Sequence, residues 1–360
     1  MKIRKSTEQY ESWLSEHTDL IRTDLELKHR LMAEDPFLFL RGTFYRWTQV
    51  WADILPDLSK APEVLAIGDL HVENFGTWRD VEGRLIWGIN DFDESYPLPY
   101  TNDLVRLAVS AKLAGQTKTL SIKFEAACDA ILAGYVKGLT TGGEPFVLEE
   151  EKHGWLQHAV TGELRSPARF WTKMNALAPA RGNVPKGAIR ALGRSLPEPD
   201  LQYKLTHRIS GLGSLGRERF VAIANWDGGK IAHETKPVTS SACLWASGDK
   251  GYSHIFYEDI LENSVRARDP SVKVRGRWIV RRLAPYCTRI ELSMLPKQRD
   301  ETHLLEAMGF ETANLHLGSW TAIKAVRRDV TRRKSNWLSS AAEKMCDCVM
   351  EDWREWRRRG

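Results

Sequence analysis

A chain of 360 residues with 42% hydrophobic and 28% charged residues can bury a large core in one or two domains, which excludes a disordered protein. No apolar run approaches the ~20 residues of a membrane span, so we expect no membrane partner. The N-terminal segment lacks the apolar core of a signal peptide, and the five cysteines do not form a disulfide framework, so we expect a cytoplasmic protein. The net charge of +5 is mild and excludes no class of soluble protein.

The first half of the chain is predicted to alternate helices and strands. Residues 4–34 carry apolar residues at three-, four- and seven-residue intervals, which predicts a helix. Pro36 marks a break before an aromatic-rich segment. Two strands follow, over 64–67 and 85–89, with a turn around Glu82–Gly83 between them, and the pattern over 102–138 is again helical.

The second half begins with a less regular region and ends in helices. Residues 139–200, rich in Gly and Pro, predict short helices and loops between two lobes. Residues 203–238 alternate and contain a tight turn at Asp227–Gly229, which predicts a small antiparallel sheet. A helix over 257–269, a strand over 276–285 and helices over 300–358 complete the chain.

The last helices are rich in arginine, in the segments AVRRDVTRRK and REWRRRG. A solvated helical face explains this composition, and so would a surface for nucleic acid or an acidic partner. No nucleic-acid-binding motif accompanies the arginines, so nucleic acid is supported only by this weakly basic tail.

Polar clusters follow both predicted strands of the first half. In GDLHVENFG, Asp69 precedes Asn74 by five residues, a spacing that suits a phosphoryl-transfer loop in which the carboxylate orients the attacking hydroxyl and the amide oxygen binds Mg²⁺. In NDFDE, Asp91 follows the second strand and could hold a Mg²⁺ ion that bridges nucleotide phosphates. Each cluster alone is a common turn composition, but the order of the two favours one catalytic site.

These segments, together with PLPYTNDLVRLA, resemble the catalytic core of the aminoglycoside phosphotransferase and choline kinase group of the protein-kinase-like superfamily. The resemblance implies that Asp69 is the catalytic base and that Asn74 and Asp91 bind the metal. It makes Asp93 a further metal or supporting carboxylate. It also implies that Asp103 braces the loop from below, with Phe92 packed behind the metal site.

A glycine-rich segment, GLGSLGRERFVAI, lies far downstream. Its G-x-G-x-x-G pattern occurs in dinucleotide-binding folds as well, but there a helix must follow, and here a strand and hairpin follow. A glycine hairpin over phosphates suits the small lobe of a kinase. We therefore expect a nucleotide site formed by residues of this loop, a lysine of the next strand and a glutamate of the following helix: Gly211, Gly213, Ser214, Gly216, Lys236, Glu258 and Glu262.

Two choices within this site stay open. Lys230 lies at the turn and is the less suitable lysine, and either Glu258 or Glu262 could pair with the lysine. The pattern HETKPV also departs from the apolar V-A-I-K pattern of kinases, because Lys236 follows polar residues and precedes a proline.

The motifs stand in an unusual order, because the catalytic loop at Asp69 precedes the glycine loop at Gly211. Too few residues precede Asp69 for a small lobe, so we predict an α+β, bilobal, protein-kinase-like fold that is circularly permuted. The predicted parts are an N-terminal helical segment (1–60), the catalytic part of the large lobe (61–200), a small β-lobe (201–290) and C-terminal helices that complete the large lobe (291–360). The segment EAMGFETANLHLGSW resembles the helix that precedes the catalytic loop in kinases.

The pattern from about residue 35 to 320, including DPFLFLRGTFYRW, also resembles a widespread bacterial family known as a domain of unknown function. Its F-x-R-G segment contains Arg41, which could contact phosphate or could equally be a structural arginine.

The expected activity is transfer of the γ-phosphoryl group of ATP, with Mg²⁺, to a hydroxyl acceptor. Under a dozen residues separate Asp93 from Asp103, too few for a protein-substrate platform, which favours a small-molecule acceptor. Alternatives are transfer of AMP to a protein, a nucleotide-binding pseudokinase and, less favoured, a metallophosphoesterase, whose later metal motifs the chain lacks. The sequence leaves the oligomeric state open.

Overall fold

The computed structural model describes residues 1–116, 119–161, 166–180, 182–248, 254–287, 289–292 and 300–358, and it has a mixed α+β architecture. The mixed α+β class expected from the sequence is confirmed. The helices are α1 (Ile3–Ser15), α2 (Arg22–Glu34), α3 (Pro36–Gly42), α4 (Phe44–Ile54), α5 (Tyr100–Gln116), α6 (Phe124–Thr141), α7 (Gly154–Val160), α8 (Pro167–Asn175), α9 (Lys186–Gly193), α10 (Ala242–Ser247), α11 (Tyr257–Asn263), α12 (Glu301–His316), α13 (Ile323–Arg332) and α14 (Trp337–Arg357). The strands are β1 (Glu63–Ala66), β2 (Phe75–Arg79), β3 (Leu85–Ile89), β4 (Tyr96–Pro99), β5 (Phe146–Val147), β6 (Lys204–His207), β7 (Phe220–Trp226), β8 (Gly229–Pro237), β9 (Lys273–Arg275) and β10 (Trp278–Leu283).

The prediction of a single helix over residues 4–34 is wrong, because the segment is divided into α1 and α2. The chain unwinds between them, where Leu20 forms a β-bridge with Arg217 and the Ile21 amide donates to the Gly216 carbonyl at 2.7 Å. These distant backbone bonds replace the helical bonds that the periodicity predicted.

The strands over 64–67 and 85–89 exist, but each has a different partner. β1 pairs with β4, in the register Val64↔Leu98, whereas β3 forms a hairpin with β2, in the register Phe75↔Ile89. The turn at Gly83 closes the hairpin of β2 and β3, and the sequence pattern did not predict β2. The polar clusters therefore follow strands of two different small sheets.

The helical core lies around α5, α6, α12 and α14, and the predicted helices over 300–358 are confirmed. α6 and α12 approach each other closely because glycine stands at their contacts. A Cβ at Gly134 would lie 1.8 Å from the Glu306 carbonyl, and one at Gly309 would lie 2.0 Å from the Ile131 carbonyl. Any side chain at these positions would separate the two helices.

The predicted small antiparallel sheet is confirmed over β6, β7 and β8, and β10 and β9 extend it in the order β6–β7–β8–β10–β9. Asp227 and Gly228 adopt positive φ angles of 44° and 76° in the tight turn between β7 and β8. One face of the sheet packs on α9, through Ala188 and Leu192, and the other packs on Met174 of α8.

None of the described helices combines the length and the apolar character that crossing a bilayer requires.

Candidate active site

The loop that carries Asp69 follows β1 and is held from below by Asp103 at the start of α5. Both carboxylate oxygens of Asp103 accept backbone hydrogen bonds, from the Ile67 amide at 2.7 Å and from the Gly68 amide at 3.0 Å. His316 Nε2, at the end of α12, lies 3.0 Å from the same carboxylate. Asp103 is completely buried, so these contacts determine the backbone path that leads into Asp69.

Asp69 forms an ion pair with Arg106, a residue that the sequence interpretation missed. Arg106 Nε donates to Asp69 Oδ1 at 3.0 Å, and the completely buried guanidinium also donates to the Leu40 carbonyl at 2.8 Å. Burial raises the pKa of Asp69, and the charge of Arg106 opposes this effect. The signal in the sequence was an arginine three residues after Asp103, on the same helix face and among apolar residues.

Asn74 joins the two polar clusters. Its Nδ2 donates to the Asp69 carbonyl at 3.2 Å and to the Asp91 carbonyl at 3.3 Å. Its Oδ1 atom is buried and has no hydrogen-bond partner among the described residues. A buried amide oxygen left without a donor is suited to bind a cation.

Lys236 on β8 contacts the second cluster directly. Its Nζ atom lies 3.1 Å from Asp91 Oδ1 and 2.7 Å from the Asp93 carboxylate. Burial opposes ionisation of Asp91, but the charges of Lys236, Arg281 and Arg219 together outweigh it and hold the pKa of that carboxyl well below its usual range.

The two glutamates expected to pair with Lys236 are not among its described contacts. Glu258 and Glu262 lie on α11 and line a large cleft, whereas the described contacts of Lys236 go to Asp91 and Asp93. Lys230 is exposed in the hairpin, with its Nζ atom 3.2 Å from Asn175 Oδ1.

The glycine loop connects β6 to β7 and lies on the Asp69 loop. Gly211 has a φ of +78°, and a short 3-10 turn follows it over Leu212–Ser214. A Cβ at Gly213 would lie 3.3 Å from Asp69 Oδ2 and 3.2 Å from the Arg41 carbonyl, so the backbone of the loop approaches the carboxylate closely. The structure therefore brings together two motifs that are far apart in the sequence.

Two connected spaces lie between these elements. A small cavity of about 40 Å³ is lined by residues that include Asp69, Asn74, Asp91, Asp93 and Gly213. A cleft of about 660 Å³ opens beside it, and Asp91 and Gly211 line both. The cleft has the size of a ligand site for a nucleotide or similar molecule.

Arg41 lies in the wall of the small cavity and is buried. Its Nη1 atom donates to Glu73 Oε2 at 2.6 Å, and Glu73 Oε1 also accepts from the Leu292 amide at 3.3 Å. Burial, together with the charge of Arg289, lowers the pKa of Arg41 to about 10. The ion pair with Glu73 is what a structural arginine would form. Arg41 also lines the small cavity, which is the position that a phosphate contact would need.

The donor atoms near Asp91 suit a hard cation. Among the described residues no three side chains of the types His, Cys, Asp and Glu are grouped as a complete metal site. Mg²⁺ in phosphate sites, however, needs only one or two carboxylates and takes its other ligands from phosphate and water. Asn74 Oδ1 and the Asp91 carboxylate, whose side chain is 44% exposed, fit such a partial set.

Comparison with known proteins gives one family. Residues 20–165 match the family model described as "Uncharacterized protein conserved in bacteria (DUF2252)". No curated protein and no solved structure matches the chain. The matched segment contains Asp69, Asn74, Asp91 and Asp103 but not the glycine loop or Lys236, so the chain is similar to this bacterial family over the part that carries both polar clusters.

Proposed function

We propose that the protein is an ATP- and Mg²⁺-dependent phosphotransferase with a circularly permuted kinase-like fold. The observation that carries the proposal is the contact of the glycine loop with the catalytic cluster: Gly213 lies against the Asp69 carboxylate, and both face the cavity that Asn74 and Asp91 line. A phosphoryl-transfer site needs these three parts, a loop for the phosphates, a base and metal ligands, at one place.

The path of the backbone supports the permutation. In the kinase-like resemblance a helix precedes the catalytic loop, and here α12 ends beside β1 although it is much later in the sequence. Ser319 Oγ accepts a hydrogen bond from the Leu65 amide at 2.7 Å, and His316 contacts Asp103. The end of α12 therefore lies where a helix leading into the Asp69 loop would end.

The order of the sheet supports the assignment of the small lobe. The glycine loop connects the first two strands, β6 and β7, and Lys236 lies on the third, β8. Leu283 at the end of β10, and Pro285 and Tyr286 just after it, line the large cleft and offer an apolar wall for an adenine ring.

Asp69 would act on the acceptor in this mechanism. It orients the acceptor hydroxyl and takes its proton as the oxygen forms a bond to the γ-phosphorus, while the bond from that phosphorus to the β–γ bridging oxygen breaks and ADP leaves. Arg106 holds the carboxylate in position for this step. Asn74 and Asp91 would hold Mg²⁺, which supplies positive charge to the phosphate oxygens.

Calorimetric titration with ATP and Mg²⁺ tests the nucleotide site. We expect the wild type to bind MgATP and Asp91→Ala to bind it at least tenfold more weakly, since one carboxylate ligand of the metal is lost. Asp200→Ala, at an exposed turn, is the matched control and should bind like the wild type. Absence of binding to the wild type at millimolar ATP would overturn the proposal.

The position of the label in ATP then identifies the reaction. With the label on the γ-phosphate we expect transfer to an acceptor or to water that Asp69→Asn abolishes while it leaves ATP binding within about threefold. Transfer of an α-label instead would identify the protein as a nucleotidyltransferase. Binding without transfer of either label, over a panel of hydroxyl acceptors, would favour the nucleotide-binding module.

A further inference from the structure

Three arginines that line the large cleft converge on one buried carboxylate. Glu234 lies on β8, two residues before Lys236, and is 1% exposed. Its Oε1 atom accepts from Arg219 Nη1 at 2.7 Å and from Arg281 Nε at 2.9 Å, and its Oε2 atom contacts Arg208. We call these residues the arginine cluster: Arg208, Arg219, Arg281 and Glu234.

The arginine cluster has an excess of positive charge. Burial opposes ionisation of Glu234, but the three guanidinium groups hold its pKa well below the usual range, so the carboxylate stays ionised. One negative charge against three positive charges leaves the arginine cluster a net charge of about +2, and the one further carboxylate that acts on Arg281, that of Asp91, does not neutralise it. An ion network that only stabilised the sheet would be closer to neutral, because unpaired buried charge is costly.

The free donors of the cluster face the cleft. All three arginines line the cleft, beside Ser210 and Gly211 of the glycine loop. A guanidinium has five N–H groups, and the hydrogen bonds within the described part of the chain use only some of those in the arginine cluster. Arg281 is 26% exposed and Arg208 14% exposed at the side chain, so a ligand in the cleft can reach them.

The arginine cluster is also joined to the glycine loop. Arg219 Nη2 donates to Ser214 Oγ at 2.8 Å, and Ser214 Oγ donates in turn to the Gly211 carbonyl at 3.1 Å. An anion bound at the arginines would therefore lie next to the loop, in the same cleft as Asp91.

Lys236, by contrast, already has anionic partners. Its ammonium group contacts Asp91 and Asp93, and its side chain is 6% exposed. The three guanidinium groups line the cleft that a phosphate chain would occupy, and such groups bind phosphate oxygens in pairs with good geometry.

We propose that Arg208, Arg219 and Arg281 form the subsite that binds the phosphate chain of the ligand in the cleft, in place of Lys236. That this ligand is a nucleotide rests on the proposed function, whereas the affinity for a polyphosphate rests on the arginine cluster itself. The arginines are binding residues in this scheme, and Glu234 positions them.

Calorimetry with inorganic triphosphate, ATP and adenosine, each without and with Mg²⁺, tests the subsite. We expect the wild type to bind triphosphate and ATP, and Arg281→Gln and Arg208→Gln to bind both at least tenfold more weakly, since each loses charge-assisted hydrogen bonds. Adenosine affinity should be unchanged in both variants. Arg190→Gln, exposed on α9 across the sheet, is the control and should match the wild type.

A second variant separates binding from folding. Arg281→Lys keeps the charge but not the planar donor pattern, so its triphosphate affinity should lie between those of wild type and Arg281→Gln. Thermal unfolding of each variant shows whether the fold is intact. If Arg281→Gln fails to fold, the proposal is decided by Arg208→Gln and Arg281→Lys.

The outcomes distinguish this proposal from the proposed function. Wild-type affinity for ATP and triphosphate in every folded arginine variant would overturn the arginine subsite and leave the phosphotransferase proposal standing. Binding of triphosphate that depends on the arginines, without binding of ATP, would support the subsite and overturn the phosphotransferase proposal.

Discussion

At the scale of single residues, Asp103 supports the loop that carries Asp69. It is completely buried, and it accepts hydrogen bonds from two backbone amides of the Asp69 loop while it contacts His316 of α12. One carboxylate thus connects the Asp69 loop, α5 and α12. Buried amides that lose their acceptor cost about 1–3 kcal/mol each.

We predict that Asp103→Ala lowers the free energy of unfolding by about 3 kcal/mol, because the Ile67 and Gly68 amides are left buried without an acceptor. Asp103→Asn keeps one acceptor oxygen and should cost less. Urea unfolding measures both. The control Asp129→Ala, exposed on α6, should stay within about 0.5 kcal/mol of the wild type. A similar small effect for Asp103→Ala would show that the loop does not depend on this carboxylate.

At the scale of elements, the glycine loop lies between the Asp69 loop and the segment that joins α1 to α2. On its inner side Gly213 approaches Asp69, and on its outer side Ile21 and Leu25 contact Gly216. Gly216 has a φ of +98°, and a Cβ there would lie 2.3 Å from Leu25 Cδ2. The N-terminal helices therefore hold the loop from outside.

We predict that Leu25→Ala makes the glycine loop more mobile, since it removes the side chain packed on Gly216. Hydrogen–deuterium exchange should become faster over residues 211–217 and stay unchanged in β10. Thr23→Ala, on the exposed face of α2, serves as the control. Unchanged exchange in the loop would mean that the backbone bond from Ile21 to Gly216 is sufficient to hold it.

At the scale of the whole molecule, two buried glutamates link stability to pH. Burial raises the pKa of Glu94 to about 7 and that of Glu311 to about 7. Glu94 accepts from the Ala242 amide at 2.7 Å, and Glu311 accepts from the Ile89 amide at 3.2 Å and from Asn314 Nδ2 at 2.8 Å. Both carboxyls hold elements together from inside the core.

The direction of the pH effect follows from these pKa values. A glutamate in the unfolded chain has a pKa of about 4.3, so between that value and about 7 the folded protein binds more protons than the unfolded one. The stabilisation is therefore complete at low pH and is lost as the pH rises through about 7. His71 and His233, whose pKa values burial lowers, act in the opposite direction below about pH 6.5.

We predict that Glu311→Gln removes one part of this dependence, because the amide mimics the protonated carboxyl at every pH. Relative to the variant, the wild type should lose stability between pH 5.5 and pH 8, by up to about 1.4 kcal/mol per pH unit. Urea unfolding across this range measures the difference, which cancels the contribution of the histidines. Glu306→Gln, on the surface of α12, should leave the slope unchanged. Parallel profiles for wild type and Glu311→Gln would contradict the prediction.

Much of the fold was predictable from patterns within short segments. The hairpin at Asp227–Gly228, β10 and the helices over 300–358 lie where periodicity and turn residues predicted them, and α11 begins at the predicted residue but ends earlier, at Asn263. The interruption between α1 and α2 was not predictable in this way, because it depends on bonds from Leu20 and Ile21 to residues 216 and 217.

Local sequence patterns also predicted one part of the candidate site and missed another. Asp69, Asn74 and Asp91 were recognisable because their spacing and their position after apolar strands are local properties of the chain. Arg106 gives only a weak signal, its place three residues after Asp103 among apolar residues, and the three arginines around Glu234 give no local signal, since each is a single charged residue in an ordinary loop or strand. The contacts of Lys236 with Asp91 and Asp93 likewise join residues that are distant in the chain.

Helix periodicity, turn residues and the polar clusters after β1 and β3 depend on neighbours along the chain, and the order of amino acids was sufficient to specify them. The pairing of β1 with β4, the contact of Gly213 with Asp69 and the gathering of arginines around Glu234 depend on residues that are distant in the chain. Only the folded core brings such residues within hydrogen-bonding distance, because the free energy of their contacts arises from burial and charge that no single segment possesses.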